Sequence, residues 1–286
     1  MEPSRSRLAS LRARRLRWRR PAGGCWWIGL LVGLLVGVGL WLLLGGPSEG
    51  EDETWNRIVE TGVLPVCTDP SWPPFEFVDE ATGDIQGFDV ELARRLARRL
   101  GPGIEAQIVP VGFDGLYDAL LAGRCDAVLS ALPYEPMRTQ DVAYSVAYFN
   151  AGLVMVVSPG AVDGGVEVLE DLAGRVVGVE WGFVPEGSPR QREFLRGLAP
   201  RRYDTADAAL RALDAGEAEV VLVDRISALA YQRECGGVEI AGEPLHDLNY
   251  VIPVRPDSFR LLSEINRVLL EMREDGTLDG LQQRWF

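Results

Sequence analysis

The chain of 286 residues contains no lysine, and His246 is its only histidine. Without a lysine amine, an enzyme that forms a Schiff base on lysine is excluded. A lone histidine in a loop-like stretch argues against a histidine-based catalytic triad and against a zinc site. No Cys-x-x-Cys or cysteine–histidine spacing indicates a metal centre. We therefore expect neither a metal nor another cofactor.

Positive charge is scarce outside the first 25 residues. The formal net charge is −13. Residues 1–25 hold eight arginines against Glu2 alone, a local charge of +7, so the rest of the chain carries −20. Nucleic-acid binding needs a basic face for the phosphates, and this acidic part has none to offer. We expect no nucleic-acid partner, and we expect residues 1–25 to stay cytoplasmic as a topological signal.

Residues 26–44 form an uncharged apolar run, WWIGLLVGLLVGVGLWLLL. Nineteen residues are about the length that crosses a bilayer. The glycines and proline at residues 45–47 lack the small-residue pattern of a cleavage site, so we predict one uncleaved transmembrane helix, with a cleaved signal as the alternative. Residues 45–54 would form a linker, and everything after it would lie outside the cytoplasm.

Three cysteines follow this run: Cys67, Cys125 and Cys235. An odd number leaves at least one of them unpaired or paired between chains. The sequence does not show which of them form a disulfide.

Strand and helix patterns alternate along the rest of the chain. Short apolar runs at residues 63–68, 105–109 and 126–132 predict buried strands, and amphipathic runs at residues 89–100 and 114–122 predict the helices between them. A second set of elements follows, with strands at residues 175–180, 219–224 and 250–254 and helices at residues 190–196, 205–215, 225–234, 258–274 and 278–286. This alternation is typical of an α/β fold in which helices cover a parallel sheet.

Aromatic residues follow the first predicted strand. Asp69 and the proline after it end that strand, because proline cannot continue a central ladder. In an open α/β sheet, small ligands bind beyond the carboxyl ends of the strands. Phe75 and Phe77 alternate as on a strand and are predicted to fill a core. Trp72, on a loop, is predicted to form a pocket wall.

Six motifs occur in one order over residues 55–286. They are GVLPVCTDPSWPPFEF, GFDVELARRLARRLG, FDGLYDALLAGRCDAVLSAL with Arg138 six residues on, LEDLAGRVVGVEWG, AGEAEVVLVD and LLEMREDGTLDGLQQRWF. Together they resemble the solute-binding proteins of bacterial amino-acid ABC importers, extracellular solute-binding protein family 3. The resemblance implies the type II periplasmic-binding-protein fold, which has two Rossmann-like lobes joined by a hinge that the chain crosses twice.

The resemblance also implies the domain boundaries. Residues 55–149 and 250–286 would form the first lobe and residues 150–249 the second, with the ligand site between them. Ligand binding would close the lobes about a hinge near residues 149–152 and 249–251.

The positions that match the family imply the residues of the site. Asp69 and Trp72 would contact and cover the ligand side chain, and Phe113 would form a second aromatic wall. Arg138 would hold an α-carboxylate through two parallel hydrogen bonds. Asp224, which ends VVLVD, would accept from an α-ammonium. The competing interpretations are a solvated surface arginine for Arg138 and a helix cap for Asp224.

Departures from the family pattern lie beside these residues. The hydroxyl-rich run before the arginine is reduced to Ser130, and Pro133 stands where a hydroxyl is common and offers no amide hydrogen. The corresponding turn of the second lobe reads Gly-Phe-Val-Pro at residues 182–185. Glu180 and Trp181 add an acid and a ring near the crevice, so they join Ser130 as candidate substrate-binding residues. Glu180, together with Asp69, indicates a cationic or amine-bearing ligand.

The resemblance predicts a binding protein and not an enzyme. It would be a monomer that captures an amino acid or amino-acid-like solute and presents it to the permease of an ABC importer. A dehydratase-like enzyme on the same fold is one alternative, with Glu180 or Glu135 as an acid whose pKa is raised by desolvation. A ligand-sensing ectodomain is another, and it would need a signalling partner because residues 1–25 form only a short tail.

Overall fold

The structure is a computed structural model that describes residues 52–160, 165–181 and 189–286. Within these ranges, no helix is both long enough and apolar enough to cross a membrane. The predicted anchor at residues 26–44 lies outside the described residues, and so does the turn at residues 182–185.

Eight α-helices occur in the described ranges. Their bounds are α1 Glu53–Thr61, α2 Phe88–Leu100, α3 Leu116–Leu121, α4 Pro189–Gly197, α5 Ala206–Asp214, α6 Arg225–Glu234, α7 Phe259–Glu274 and α8 Thr277–Trp285. The sequence patterns predict seven of them. The exception is α1, which begins inside the predicted linker because the Asp52 carboxylate caps it by accepting from the amide of Trp55 at 2.8 Å.

Fifteen short strands complete the described part of the chain. Their bounds are β1 Val63–Thr68, β2 Ser71–Trp72, β3 Glu76–Val78, β4 Ile85–Gln86, β5 Glu105–Pro110, β6 Ala127–Val128, β7 Ala143–Tyr144, β8 Phe149–Asn150, β9 Leu153–Val157, β10 Val177–Glu180, β11 Arg201–Tyr203, β12 Val220–Asp224, β13 Glu239–His246, β14 Asn249–Tyr250 and β15 Pro253–Val254.

Two five-stranded sheets carry the architecture. The first has the order β5-β1-β6-β15-β7, with β1 parallel to β5 and β6 and with β15 antiparallel to its neighbours. The second has the order β11-β10-β12-β9-β13, with β10 parallel to β11 and β12 and with β9 antiparallel to its neighbours. The α/β class is confirmed, and each sheet is mixed where the alternation predicts a parallel one.

Two segments that connect these sheets run side by side. Phe149 pairs with Tyr250 and Asn150 pairs with Asn249 in a short antiparallel ladder between β8 and β14. After two more residues β8 is followed by β9, which belongs to the second sheet.

The predicted strand at residues 126–132 is much shorter in the structure, where β6 covers only Ala127–Val128. Ala131 has a positive φ of 44°, a left-handed conformation that ends an extended strand. Its amide nitrogen donates to the Asp89 carboxylate at 2.7 Å instead of joining a ladder. The backbone after β6 is thereby fixed in an open turn.

The start of α2 packs tightly on Phe75, the residue before β3. Gly87 has a φ of 136°, and a Cβ atom there would overlap the carbonyl oxygen of Phe75. The Asp89 amide donates to that same oxygen at 2.9 Å. Leu92 and Leu96 form the buried stripe of the helix. This packing holds Asp89 beside the β3 strand.

Aromatic rings fill the core between β3, β8 and the last helix. Phe75 is fully buried, and its ring centroid lies 5.0–5.8 Å from four other rings. These rings belong to Phe88, Phe149, Tyr250 and Phe286. The prediction that Phe75 is a core residue is confirmed, whereas Phe77 is only partly buried and meets the ring of Trp285.

Cys67 and Cys125 form a disulfide. Cys67 lies on β1 and Cys125 just before β6, and the two strands are parallel neighbours in the first sheet. Cys235 is free and exposed. The pairing that the sequence leaves open is thus decided by strand order.

Candidate ligand-binding cavity

The loops that follow β1 and β6 line a cavity of about 380 Å³. Its described lining residues are Asp69, Ser71, Trp72, Glu76, Phe113, Ser130, Ala131, Pro133, Leu248 and Tyr250. Four of the eight candidate site residues are therefore brought together here, namely Asp69, Trp72, Phe113 and Ser130.

Two aromatic rings form apolar walls of this cavity. Trp72 is 56% exposed and Phe113 is 51% exposed, although both rings are large and apolar. A ligand held against them would cover apolar surface, and their faces attract cations. A ligand bound in the cavity would cover these exposed rings.

Asp69 has a carboxylate that is oriented by the backbone. The amide of Phe113 donates to its Oδ2 at 3.1 Å. The Asp69 amide itself donates to Ser130 Oγ at 2.9 Å. The loops after β1 and β6 are thereby joined, and the carboxylate is fixed at the cavity.

Glu76 is a lining residue that the sequence reasoning missed. Its Oε1 accepts from Ser130 Oγ at 2.9 Å, and the side chain is 1% exposed. Burial raises the pKa of Glu76 to about 10, and the neighbouring Asp89 adds to this rise. The available signal was an acid between Phe75 and Phe77, on the strand face opposite to the two rings.

Asp89 is the buried partner of Glu76. Its Oδ2 accepts from the Ala131 amide at 2.7 Å and from the Tyr148 hydroxyl at 2.8 Å. Burial raises the pKa of Asp89 to about 6, and these hydrogen bonds oppose a larger rise. Tyr250, also missed from the sequence, lines the cavity, and burial raises the pKa of its hydroxyl to about 12.

Arg138 is not among the described lining residues of this cavity. Its Nε donates to Glu135 Oε2 at 3.1 Å, and its guanidinium lies over the ring of Tyr117 at 4.2 Å. The side chain is 44% exposed. Arg138 ends the short turn Pro136–Arg138, and its guanidinium is bonded to Glu135, the residue just before that turn.

Glu180, Trp181 and Asp224 lie at the carboxyl ends of two neighbouring interior strands of the second sheet. They end or follow β10 and β12, which are parallel neighbours, so their carboxyl ends meet. Trp181 is 71% exposed, with the Arg202 guanidinium 5.8 Å from its ring. None of the three lines the cavity described above.

Asp224 caps α6. Its Oδ1 accepts from the amide of Ser227 at 2.9 Å, and its Oδ2 accepts from the Ser227 hydroxyl at 2.6 Å. The capping interpretation of Asp224 is therefore confirmed. The side chain is exposed, so a cap and a ligand contact are compatible.

The chemistry available at the cavity is recognition by charge and stacking. It combines carboxyl groups, the hydroxyls of Ser71, Ser130 and Tyr250, and aromatic faces. Within the described ranges, no cluster of three or more histidine, cysteine, aspartate or glutamate side chains is arranged to hold a metal ion.

The family of bacterial extracellular solute-binding proteins, family 3, matches residues 64–286. The chain belongs to this family. The L-cystine-binding protein TcyJ of Escherichia coli (strain K12) is 30% identical over 256 residues, covering 88% of this chain and 94% of TcyJ. The arginine-binding extracellular protein ArtP of Bacillus subtilis (strain 168) is 28% identical, covering 91% of this chain and 97% of ArtP.

Solved structures of the solute-binding fold agree with this assignment. An ancestral cationic amino acid solute-binding protein, AncCDT-1, is 31% identical with a TM-score of 0.57, covering 82% of this chain and 100% of AncCDT-1. An ancestral cyclohexadienyl dehydratase, AncCDT-3, is 25% identical with a TM-score of 0.70, covering 81% of this chain and 95% of AncCDT-3. The type II periplasmic-binding-protein fold of this family 3 member is thereby confirmed.

Proposed function

We propose that the protein captures an amino-acid-like solute with an amine or guanidinium group and delivers it to the permease of an ABC importer. The observation that carries this proposal is the composition of the cavity. Asp69 and Glu76 contribute two carboxyl groups beside the exposed rings of Trp72 and Phe113, and no arginine is among the described lining residues. Carboxyl groups and aromatic faces both favour a cation.

The names of the relatives support a solute with an amine. TcyJ is named for L-cystine and ArtP for arginine. A lysine/arginine/ornithine-binding periplasmic protein of Escherichia coli (strain K12) is 28% identical, covering 77% of this chain and 86% of that protein. Each of these named amino acids carries an ammonium group, and several carry a second cation.

Closure of two lobes would complete the site. We propose that residues 55–149 and 250–286 act as one lobe and residues 150–249 as the other. On closure, Glu180, Trp181 and Asp224 would meet the ligand from the second sheet, and the Asp224 carboxylate would accept from its α-ammonium. Arg138 would exchange Glu135 for the ligand carboxylate. Binding requires no catalysis in this scheme, so we propose that the protein is not an enzyme.

The remaining parts of the proposal concern location and assembly. We propose that residues 26–44 anchor a monomer in the cell membrane with the solute-binding part outside the cytoplasm. If the full chain separates with the soluble fraction after cell lysis, without loss of residues 1–44, the anchor is wrong.

A thermal-shift screen of the full chain tests the ligand class. The panel contains arginine, lysine, ornithine, cystine, glutamine and aspartate at about 1 mM, a concentration that we choose to be about 1,000 times a micromolar dissociation constant. Ligand binding to the folded state alone should raise the melting temperature for the cationic members. The proposal fails if aspartate stabilises the protein more than every cationic member does.

An enzyme on this fold is the second candidate, because the ancestral dehydratase AncCDT-3 has the same fold with a TM-score of 0.70. Glu180 or Glu135 would then be the acid. Incubation with a cyclohexadienyl carboxylate followed by mass spectrometry separates the two functions. If the compound loses water with the wild type, and no longer does so with Glu180→Gln or Glu135→Gln, then the protein is an enzyme and the proposed binding function is wrong.

A further inference from the structure

Glu76 and Asp89 form a pair of buried carboxyl groups at the wall of the cavity. Glu76 lines the cavity and is 1% exposed, and Asp89 is completely buried. The two groups face the same turn, because their donors Ser130 and Ala131 are neighbours in the chain. Two ionised carboxylates that are buried side by side repel each other and only accept hydrogen bonds, so the pair favours a proton on one of them.

The partners of the other oxygens assign that proton. Glu76 Oε1 accepts from Ser130 Oγ at 2.9 Å. Asp89 Oδ2 accepts two hydrogen bonds, from the Ala131 amide and from the Tyr148 hydroxyl. Glu76 Oε2 and Asp89 Oδ1 are buried and have no hydrogen-bond partner in the described part of the chain. Glu76 carries the proton, because two donors stabilise the charge of Asp89 and only one donates to Glu76.

The surroundings of the pair explain why the proton stays. The titratable groups that act on the pair are Asp69, Tyr148 and Tyr250, and none of them is a cation. A second negative charge would therefore be buried without compensation, which is costly. Burial accordingly raises the pKa of Glu76 to about 10.

We propose that Glu76 is a ligand-contacting residue that releases its proton to the solvent when the ammonium or guanidinium group of the solute enters the cavity. This inference rests on the proposed function, because it needs a cationic solute at this site. The solute's cation replaces the proton as the partner of the acid pair. No covalent bond changes other than the O–H bond of Glu76, and its proton passes to the buffer.

Proton release has a definite consequence for affinity. The complex holds fewer protons than the free protein, so binding strengthens as the pH rises. With one proton fully linked, the dissociation constant falls about tenfold per pH unit while Glu76 is protonated in the free protein. The preference for cations would thus be greatest in neutral to alkaline surroundings.

Glu76→Gln isolates this effect without disturbing the fold. A glutamine amide mimics a protonated glutamate: its oxygen accepts from Ser130, and its NH₂ group donates to Asp89. The variant has no proton to release. Glu105→Gln, at an exposed position of β5, is the matched control for the loss of one carboxylate that does not line the cavity.

Calorimetric titration of the full chain with L-arginine tests the proposal, because the guanidinium stays charged at every pH used. Titrations at pH 7.5 in phosphate and in Tris, which differ in ionisation enthalpy, give the number of protons released. We expect between about 0.5 and 1 proton for the wild type and for Glu105→Gln, and none for Glu76→Gln. Between pH 6.5 and 8.5, wild-type affinity should rise by at least about tenfold, and that of Glu76→Gln should stay constant.

Two results would overturn the proposal while leaving the proposed function intact. One is arginine binding without proton release by the wild type. The other is an equal release by Glu76→Gln. If neither arginine nor any cationic member of the thermal-shift panel binds, the proposed function fails first, and this inference fails with it.

Discussion

The Nε atom of Arg138 lies 3.1 Å from Glu135 Oε2, and the Glu135 Oε1 atom accepts from the hydroxyl of Tyr117 at 3.3 Å. The guanidinium also lies over the Tyr117 ring. Glu135 therefore occupies a donor that a ligand carboxylate would need. In the proposed function, the internal carboxylate and the ligand carboxylate would compete for one guanidinium.

This competition predicts opposite effects for two substitutions. Arg138→Ala should weaken α-amino acid binding by about 10- to 100-fold, because a charge-assisted hydrogen bond contributes about 1.5–3 kcal/mol. Glu135→Gln should strengthen it by about two- to fivefold, because the competitor loses its charge. Calorimetric titration with arginine measures both.

The matched ligand is agmatine, which keeps the guanidinium of arginine and lacks its carboxylate. Neither substitution should change agmatine affinity. Undiminished arginine binding by Arg138→Ala would show that Arg138 does not hold the ligand carboxylate.

Asp224 offers a way to separate a structural role from a ligand contact. Asparagine caps helices about as well as aspartate, so Asp224→Asn should change the free energy of unfolding by less than about 0.5 kcal/mol. It should weaken binding of an α-amino acid by about tenfold or more, because the carboxylate that accepts from the α-ammonium loses its charge. Urea unfolding and calorimetric titration measure the two effects.

Asp224→Ala is the control for the cap. It should lower both the affinity and the free energy of unfolding, the latter by about 1 kcal/mol. An Asp224→Asn variant that binds like the wild type would leave the cap as the whole role of this residue.

The acid pair also predicts how stability depends on pH. The pKa of Glu76 is raised to about 10 in the folded protein from its ordinary value of 4.5, so the folded state holds more protons between these values. The free energy of unfolding should therefore fall as the pH rises from about 5 to 10, at no more than about 1.4 kcal/mol per pH unit from this group. Urea unfolding at several pH values measures the slope.

Glu76→Gln should flatten that slope, because glutamine does not titrate. Asp89, whose pKa is raised to about 6, still titrates at the acid end, so the two proteins should differ mainly above pH 6. Equal slopes for the wild type and the variant above pH 6 would contradict a protonated Glu76.

Ala131 has a strained backbone that a glycine would relieve. Its φ of 44° is costly for a residue with a Cβ atom, so Ala131→Gly should raise the free energy of unfolding by about 0.5–1 kcal/mol. Ala199 has a φ of 48° and is exposed, so Ala199→Gly is the matched control with a similar gain. Thermal and urea unfolding measure both.

Only one of these two substitutions should affect binding. Ala131 lines the cavity and its amide donates to Asp89, whereas Ala199 lies outside the lining. A loss of stability in Ala131→Gly would show that its side chain contributes more to packing than its conformation costs.

Local patterns predicted the fold well and the site only in part. The periodicity of Leu92 and Leu96 was enough to predict α2, and the position of Trp72 after a strand was enough to predict a cavity wall. Both inferences use residues close together in the chain. The contact of Arg138 with Glu135 is also local, at a spacing of three, and could have been read from the sequence.

Other features depend on contacts between distant residues. Glu76 and Asp89 meet because Gly87 lets the start of α2 approach β3, which no pattern of single residues reveals. Cys67 and Cys125 meet because β1 and β6 are neighbours, and the sequence leaves strand order open. The buried acid pair and the disulfide therefore required the structure.

In the first sheet, β15 lies between β6 and β7. It comes at residues 253–254, more than a hundred residues after those two strands in the sequence. The second sheet uses the uninterrupted stretch from β9 to β13. A chain that emerges from its amino terminus can therefore finish the later sheet before the earlier one. Until β15 arrives, the edges of β6 and β7 are open to strands of other chains, so the risk of aggregation is concentrated in the last stage of synthesis.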